Sequence, residues 1–203
     1  MAERCQPSTQ AQPHAQAQAP RRRSRRRDTV DGPTIRAVAT PSTTRSAAYA
    51  AAFVAAQEEF IRLVESLSAE QWRRVGANFP ARLNDEDEQR SVGVIAHHVA
   101  LNTPWIMERI ERMLEGRPLA QVDIRASNAQ HATEQADVSK EEVLRLLREQ
   151  TAPIAAAVLA IPDDQLDEPR DTPVGPMSAA QRLERVLVGH ITMHRGSILA
   201  AIA

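Results

Sequence analysis

The chain holds one cysteine, Cys5, in 203 residues, which excludes a disulfide framework and any Cys-x-x-Cys metal or redox site. Aromatic residues make up only 3%, and 24 of the 25 basic side chains are arginine, with Lys140 the single lysine. No run of 18 apolar residues is present, which argues against a membrane span, and the polar N-terminus lacks the apolar stretch of a secretory signal. A cytoplasmic protein is therefore the expectation. There is no Gly-rich phosphate loop, no G-x-S-x-G elbow and no H-E-x-x-H, so nucleotide-dependent chemistry and the common hydrolase and zinc-protease mechanisms lack their parts.

What is present divides unevenly. Residues 1–45 carry nine arginines against Glu3, Asp28 and Asp31, and the remaining 158 residues carry 16 basic against 23 acidic side chains. A basic tail thus precedes an acidic body. The tail is Gln, Ala, Pro, Ser and Arg with almost no bulky apolar side chain, and it cannot bury enough surface to offset the entropy of ordering, so residues 1–45 are expected to be disordered and residues 46–203 to form the domain. The run Arg21 to Arg27 could meet nucleic acid weakly through its phosphates, or be a solvated tail. An upstream translation start is a further explanation for the whole stretch.

From Ser46 onward the periodicity is helical. Tyr49, Phe53, Ala56, Phe60, Leu63 and Leu67 form one stripe; Ser68 to Gln71 reads as a capping box opening a short helix; and Gly76 to Arg90 reads as a loop. A second long helix spans Ser91 to Leu114, with a kink expected at Pro104. A third opens at Ser139 and ends before Pro162, with Pro153 an irregularity, and a fourth runs from Ser178 to the C-terminus. No segment alternates long enough to make a strand. Long connections between the four amphipathic helices imply an all-α four-helix bundle with at least one crossover.

Histidine carries the candidate chemistry. His190 and His194 stand one turn apart within the apolar stripe Leu183, Leu187, Ile198, so both rings point inward, where one ion could take a nitrogen from each. In the second helix His98 lies among Val92, Ile95, Val99, Ile106 and Ile110, whereas His97 lies nearer the flank. An H-x-x-x-H pair alone arises often by chance; a third inward imidazole makes up the ligand count of an open catalytic zinc site. His14 and His131 read as solvated. Asn102, one turn after His98, could orient a substrate oxygen or simply cap the helix. Arg195 reads as exposed and Trp105 as core.

Three stretches, Ser91 to Ala100 (SVGVIAHHVA), Asn128 to Ala132 (NAQHA) and His190 to Ile198 (HITMHRGSI), together make a chain that resembles the DinB-like family from about Ala47 to Ala203. These are metal-dependent four-helix bundles that include bacillithiol and mycothiol transferases and mycothiol-dependent maleylpyruvate isomerases. The resemblance implies metal ligands at His98, His190 and His194, and it places Asn128 at a recurrent position in the loop before the third helix, as a second candidate for substrate binding. It implies a divalent metal cofactor, zinc first and nickel second, and a low-molecular-weight thiol, mycothiol or bacillithiol, that is added or transferred to an electrophile or assists an isomerisation. With no cysteine in the bundle, the nucleophile would be a supplied thiol or water. The competing readings are a non-catalytic metal-binding or stress-response bundle, which could form a homodimer through an exposed helix face, and a metal-water hydrolase.

Overall fold

A computed structural model describes residues 44–76 and 90–203. The arginine run at 21–27, almost all of the 1–45 tail and most of the Gly76–Arg90 loop lie outside the described residues. Helix α1 is Arg45–Ser66, opened by Thr44, whose side chain accepts from the Ala47 amide. Helix α2, Ala69–Arg73, begins with the expected capping box: Ser68 Oγ accepts from Gln71 N, and Gln71 Oε1 accepts from Ser68 N. Helix α3 is Val92–Leu114, α4 Ile124–Glu134 and α5 Lys140–Leu159. The last helix is built of α6, Ala179–Arg182, a widened turn over Leu183–Val188 and α7, Gly189–Ile202. A second full capping box, Ser178 with Gln181, starts it. At α5 Ser139 Oγ accepts from Glu142 N, while the Glu142 carboxylate pairs with Arg145 rather than reaching back to Ser139.

Two features differ from the sequence expectation. Two residue pairs, β1 (Val75–Gly76) and β2 (Arg90–Ser91), form a short antiparallel ladder, too brief for any alternation to register in the sequence. The segment around Asn128 and His131 is helix α4 and not a loop; it is polar over most of its surface and buries only Asn128, so it has no apolar stripe to read. As expected from the sequence, α3 and α5 each run on as one helix past Pro104 and Pro153. Burial of Thr103, Ile106 and Met107 around the first proline and of Ile154 beside the second outweighs one missing donor in each helix.

The four long helices pack in a ring, α1 beside α5 and α7, and α3 beside the same two. Lys140 Nζ donates to the carbonyls of Glu65 and Leu67, so the start of α5 meets the end of α1 and these two run antiparallel. The core between them holds Phe53, Phe60, Ile95, Ile110, Leu147, Leu187, Ile191 and Ile198, all fully buried. Because α3 and α5 both begin at the same end of the bundle, the chain must return along its length after α3. Helix α4 makes that return, which is the crossover. The approach at the α3 N-terminus is close enough to require glycine: a Cβ on Gly93 would sit 2.6 Å from Trp72 Nε1 and Cε2. Trp72 in turn donates to the Val138 carbonyl at 3.0 Å, tying α2 to the start of α5.

Candidate metal centre

His98 enters the bundle from the second turn of α3, and His190 and His194 from consecutive turns of α7, which runs antiparallel to α3. Each of the three offers a ring nitrogen, and these nitrogens lie within 4.8 Å of one another. The Nε2 atoms of His98 and His190 are 3.1 Å apart. Two nitrogens held about 2.0–2.1 Å from a tetrahedral ion would stand roughly 3.3 Å apart, so this spacing suits a shared ion as well as an N–H···N hydrogen bond. Ring centroids of His190 and His194 are 4.5 Å apart and those of His98 and His194 are 4.9 Å apart, both edge-on.

The donor set fits a cation on two further grounds. First, His194 Nδ1 is buried with no hydrogen-bond partner, a polar atom whose burial costs free energy unless something satisfies it; His190 Nδ1 is unpartnered as well, but it is the Nε2 of that ring that faces His98. Second, the rings are held neutral, as ligands must be. Burial drives His98 and His194 far below the ordinary histidine range, with neighbouring imidazoles adding to it, and burial followed by the charge of Arg90 pushes His190 down to about 4. An all-imidazole site suits zinc or nickel.

Asn102 sits one turn beyond His98 as expected, but its amide is turned onto His98 itself: Nδ2 is 3.0 Å from His98 Nδ1 and donates to the His98 carbonyl at 2.9 Å. Asn128 is buried on α4. Three residues on, His131 shares its face, half-buried where solvent exposure was expected, with Nε2 3.0 Å from His97 Nδ1 and the two rings stacked at 5.2 Å. Its edge meets the ring of His98 at 5.7 Å. His97, read as a flank residue, is itself buried. Thus five of the six histidines form one continuous group, with the α4 helix closing it from one side. Burial first, then His97 and Arg90, take His131 down to about 4, against an opposing pull from Glu134.

Sequence reasoning missed two participants. The spacing of Asn128 and His131 would have signalled a shared helix face had α4 been recognised. Arg90 gave no signal at all: it ends what reads as an acidic loop, yet it is only 3% exposed and its charge bears on His98, His131, His190 and His194. Arg195, by contrast, faces outward toward Glu59 at 3.7 Å, and Trp105 is half-buried against the core.

Comparison with known proteins gives one result. The family model of the DinB superfamily matches residues 52–198, which takes in all of the histidine group and most of the bundle. A search of curated proteins finds no match to the chain. Among the described residues no helix is long and apolar enough to cross a membrane.

Proposed function

The chain belongs to the DinB superfamily, and from that premise we propose that it is a metal-dependent enzyme that activates a low-molecular-weight thiol, such as mycothiol or bacillithiol, for transfer to an electrophile or for thiol-assisted isomerisation. The observation that carries this reading is the convergence of three imidazoles, those of His98 and His194 buried and that of His190 half-buried, with ring nitrogens within 4.8 Å of one another. His98, His190 and His194 would hold the ion, zinc before nickel, and when bound it supplies a Lewis acid that makes a thiol acidic near neutral pH.

The remaining work falls to the chain. Asn102 holds the His98 ring in one rotation, and the His97–His131 stack closes the flank of the cavity. The charge of Arg90 helps keep His98, His190 and His194 neutral and so ready to ligate. Residues 46–203 contain no cysteine, so no protein thiol of the bundle competes with the cosubstrate. A cytoplasmic enzyme, working where such thiols are kept reduced, is part of the same proposal.

The test combines elemental analysis with turnover. Purified protein should carry close to one equivalent of zinc or nickel and consume mycothiol or bacillithiol, but not glutathione, in the presence of a suitable electrophile. Loaded protein inert toward all three thiols across a panel of electrophiles and maleylpyruvate-like isomers would reject the enzymatic reading and leave a metal-binding bundle.

A further inference from the structure

The stripe of α3 that carries His98 continues through Asn102 and Trp105 to Arg109, at spacings of four, three and four. In the last helix Arg182 precedes His190 by eight residues. In a regular helix that offset would leave the two about 80° apart around the axis, but the widened turn Leu183–Val188 lies between them. Its hydrogen bonds skip five residues instead of four, so it accommodates one extra residue and returns Arg182 to the face of His190. Helix α6 packs on α3. The histidines and the two arginines therefore lie on one seam between the antiparallel helices, separated along it by about 12–16 Å at 1.5 Å per residue.

Arg182 is unusual in its surroundings. It is 5% exposed, its Nε is buried with no hydrogen-bond partner, and no carboxylate lies within ion-pair distance of it among the described residues. Its charged neighbour is Arg109, whose like charge adds to burial in lowering the Arg182 pKa. Arg109 is half-buried, stacks over the Trp105 ring at 4.7 Å and donates to the Ala120 carbonyl. A desolvated guanidinium in the field of a second one, with no carboxylate paired to it among the described residues, costs stability. Such an arrangement is explained by an anion that joins them.

We propose that Arg182 and Arg109 form an anion-binding site for a carboxylate or phosphate group, in line with the histidine group along the α3–α7 seam. The site stands independently of the metal reading; the extension, that one elongated cosubstrate places its sulfur at the histidines and its anionic end at the arginines, rests on it. Guanidinium forks favour both planar carboxylates and phosphates, so the two chemistries must be separated by experiment.

The experiment is a titration of the full-length protein, metal-free and metal-loaded, with inorganic phosphate in one arm and malonate in the other, at ionic strength held constant with chloride. Trp105 fluorescence provides a local readout under Arg109, in a Trp72→Phe background that removes the one other tryptophan. Saturable quenching is expected in at least one arm, and the arm that responds names the ligand class. Arg182→Gln and Arg109→Gln should each weaken it at least tenfold, Arg182→Lys should fall between, and His190→Ala should leave it unchanged. Arg182→Gln should also unfold at the same or a higher temperature without anion, since it removes an unpaired buried charge. Quenching in neither arm, or affinity unchanged in both glutamine variants, would overturn the proposal; should Arg182→Gln not fold, the half-buried Arg109→Gln decides alone. Loss of metal in His190→Ala with anion binding intact would separate failure of one site from failure of the other.

Discussion

The contact of Asn102 with His98 can be turned into a two-sided test. As the side chains stand, the Asn102 amide nitrogen faces both His98 Nδ1 and the His98 carbonyl, which makes Nδ1 an acceptor and leaves the proton on Nε2, directed at His190. For His98 to offer Nε2 to an ion, the proton must move to Nδ1, and the group opposite must then accept rather than donate. An asparagine can do so by rotating its amide, at the cost of the bond to the carbonyl; an aspartate does so without rotation. Partners of this kind commonly govern affinity for the ion by 10- to 100-fold, or about 1.4–2.8 kcal/mol. Asn102→Ala should therefore weaken zinc binding by about that factor, and Asn102→Asp should restore or exceed the wild-type affinity. The assay is competition against a chromophoric chelator of known affinity at pH 7.5, with circular dichroism to show that the fold is kept. Equal affinity in the wild type and both variants, within twofold, would refute the argument that Asn102 orients the ligand.

Two further outcomes follow from the packing and the charges. Gly93→Ala should destabilise the bundle by about 1–3 kcal/mol, because its methyl group would overlap the Trp72 indole and force α2 away from α3; urea unfolding followed by tryptophan fluorescence measures it, and an unchanged midpoint would contradict the packing described. The metal-free protein should lose stability in acid. Burial lowers the folded-state pKa of His190 and His131 from 6.5 to about 4, so between those values the unfolded chain binds more protons and stability falls as pH falls, with His98 and His194 extending the loss below pH 4. For His190 alone the shift corresponds to about 3 kcal/mol. Arg90 adds to the effect and Glu134 opposes it at His131; unfolding curves that coincide at pH 7 and pH 4.5 would contradict it.

The bundle was legible because its long helices announce themselves through stripes and caps. Phe53 and Phe60 in their stripe, the box at Ser68 and the helix start at Ser178 all occupy the places that their spacing assigns. His190 and His194 were legible for the same reason, as polar residues interrupting an apolar stripe. Helix α4 was not, since a helix that buries little more than Asn128 and touches His97 through His131 leaves no periodic trace. Arg90 and Arg182 were hidden for another reason. Their burial depends on which segments the crossover and the widened turn bring together, and neither a long-range packing arrangement nor an extra residue in one helical turn can be read from local composition.

The account rests most heavily on the three imidazoles acting as one ligand set. Isothermal titration of metal-stripped protein with zinc, carried out on the wild type and on His98→Ala, His190→Ala and His194→Ala, tests this directly. The account predicts one equivalent bound by the wild type and a loss of at least 100-fold in affinity for every single variant, including His98→Ala, whose ring comes from the other helix. Full affinity in His98→Ala, or no stoichiometric binding in the wild type, would contradict it.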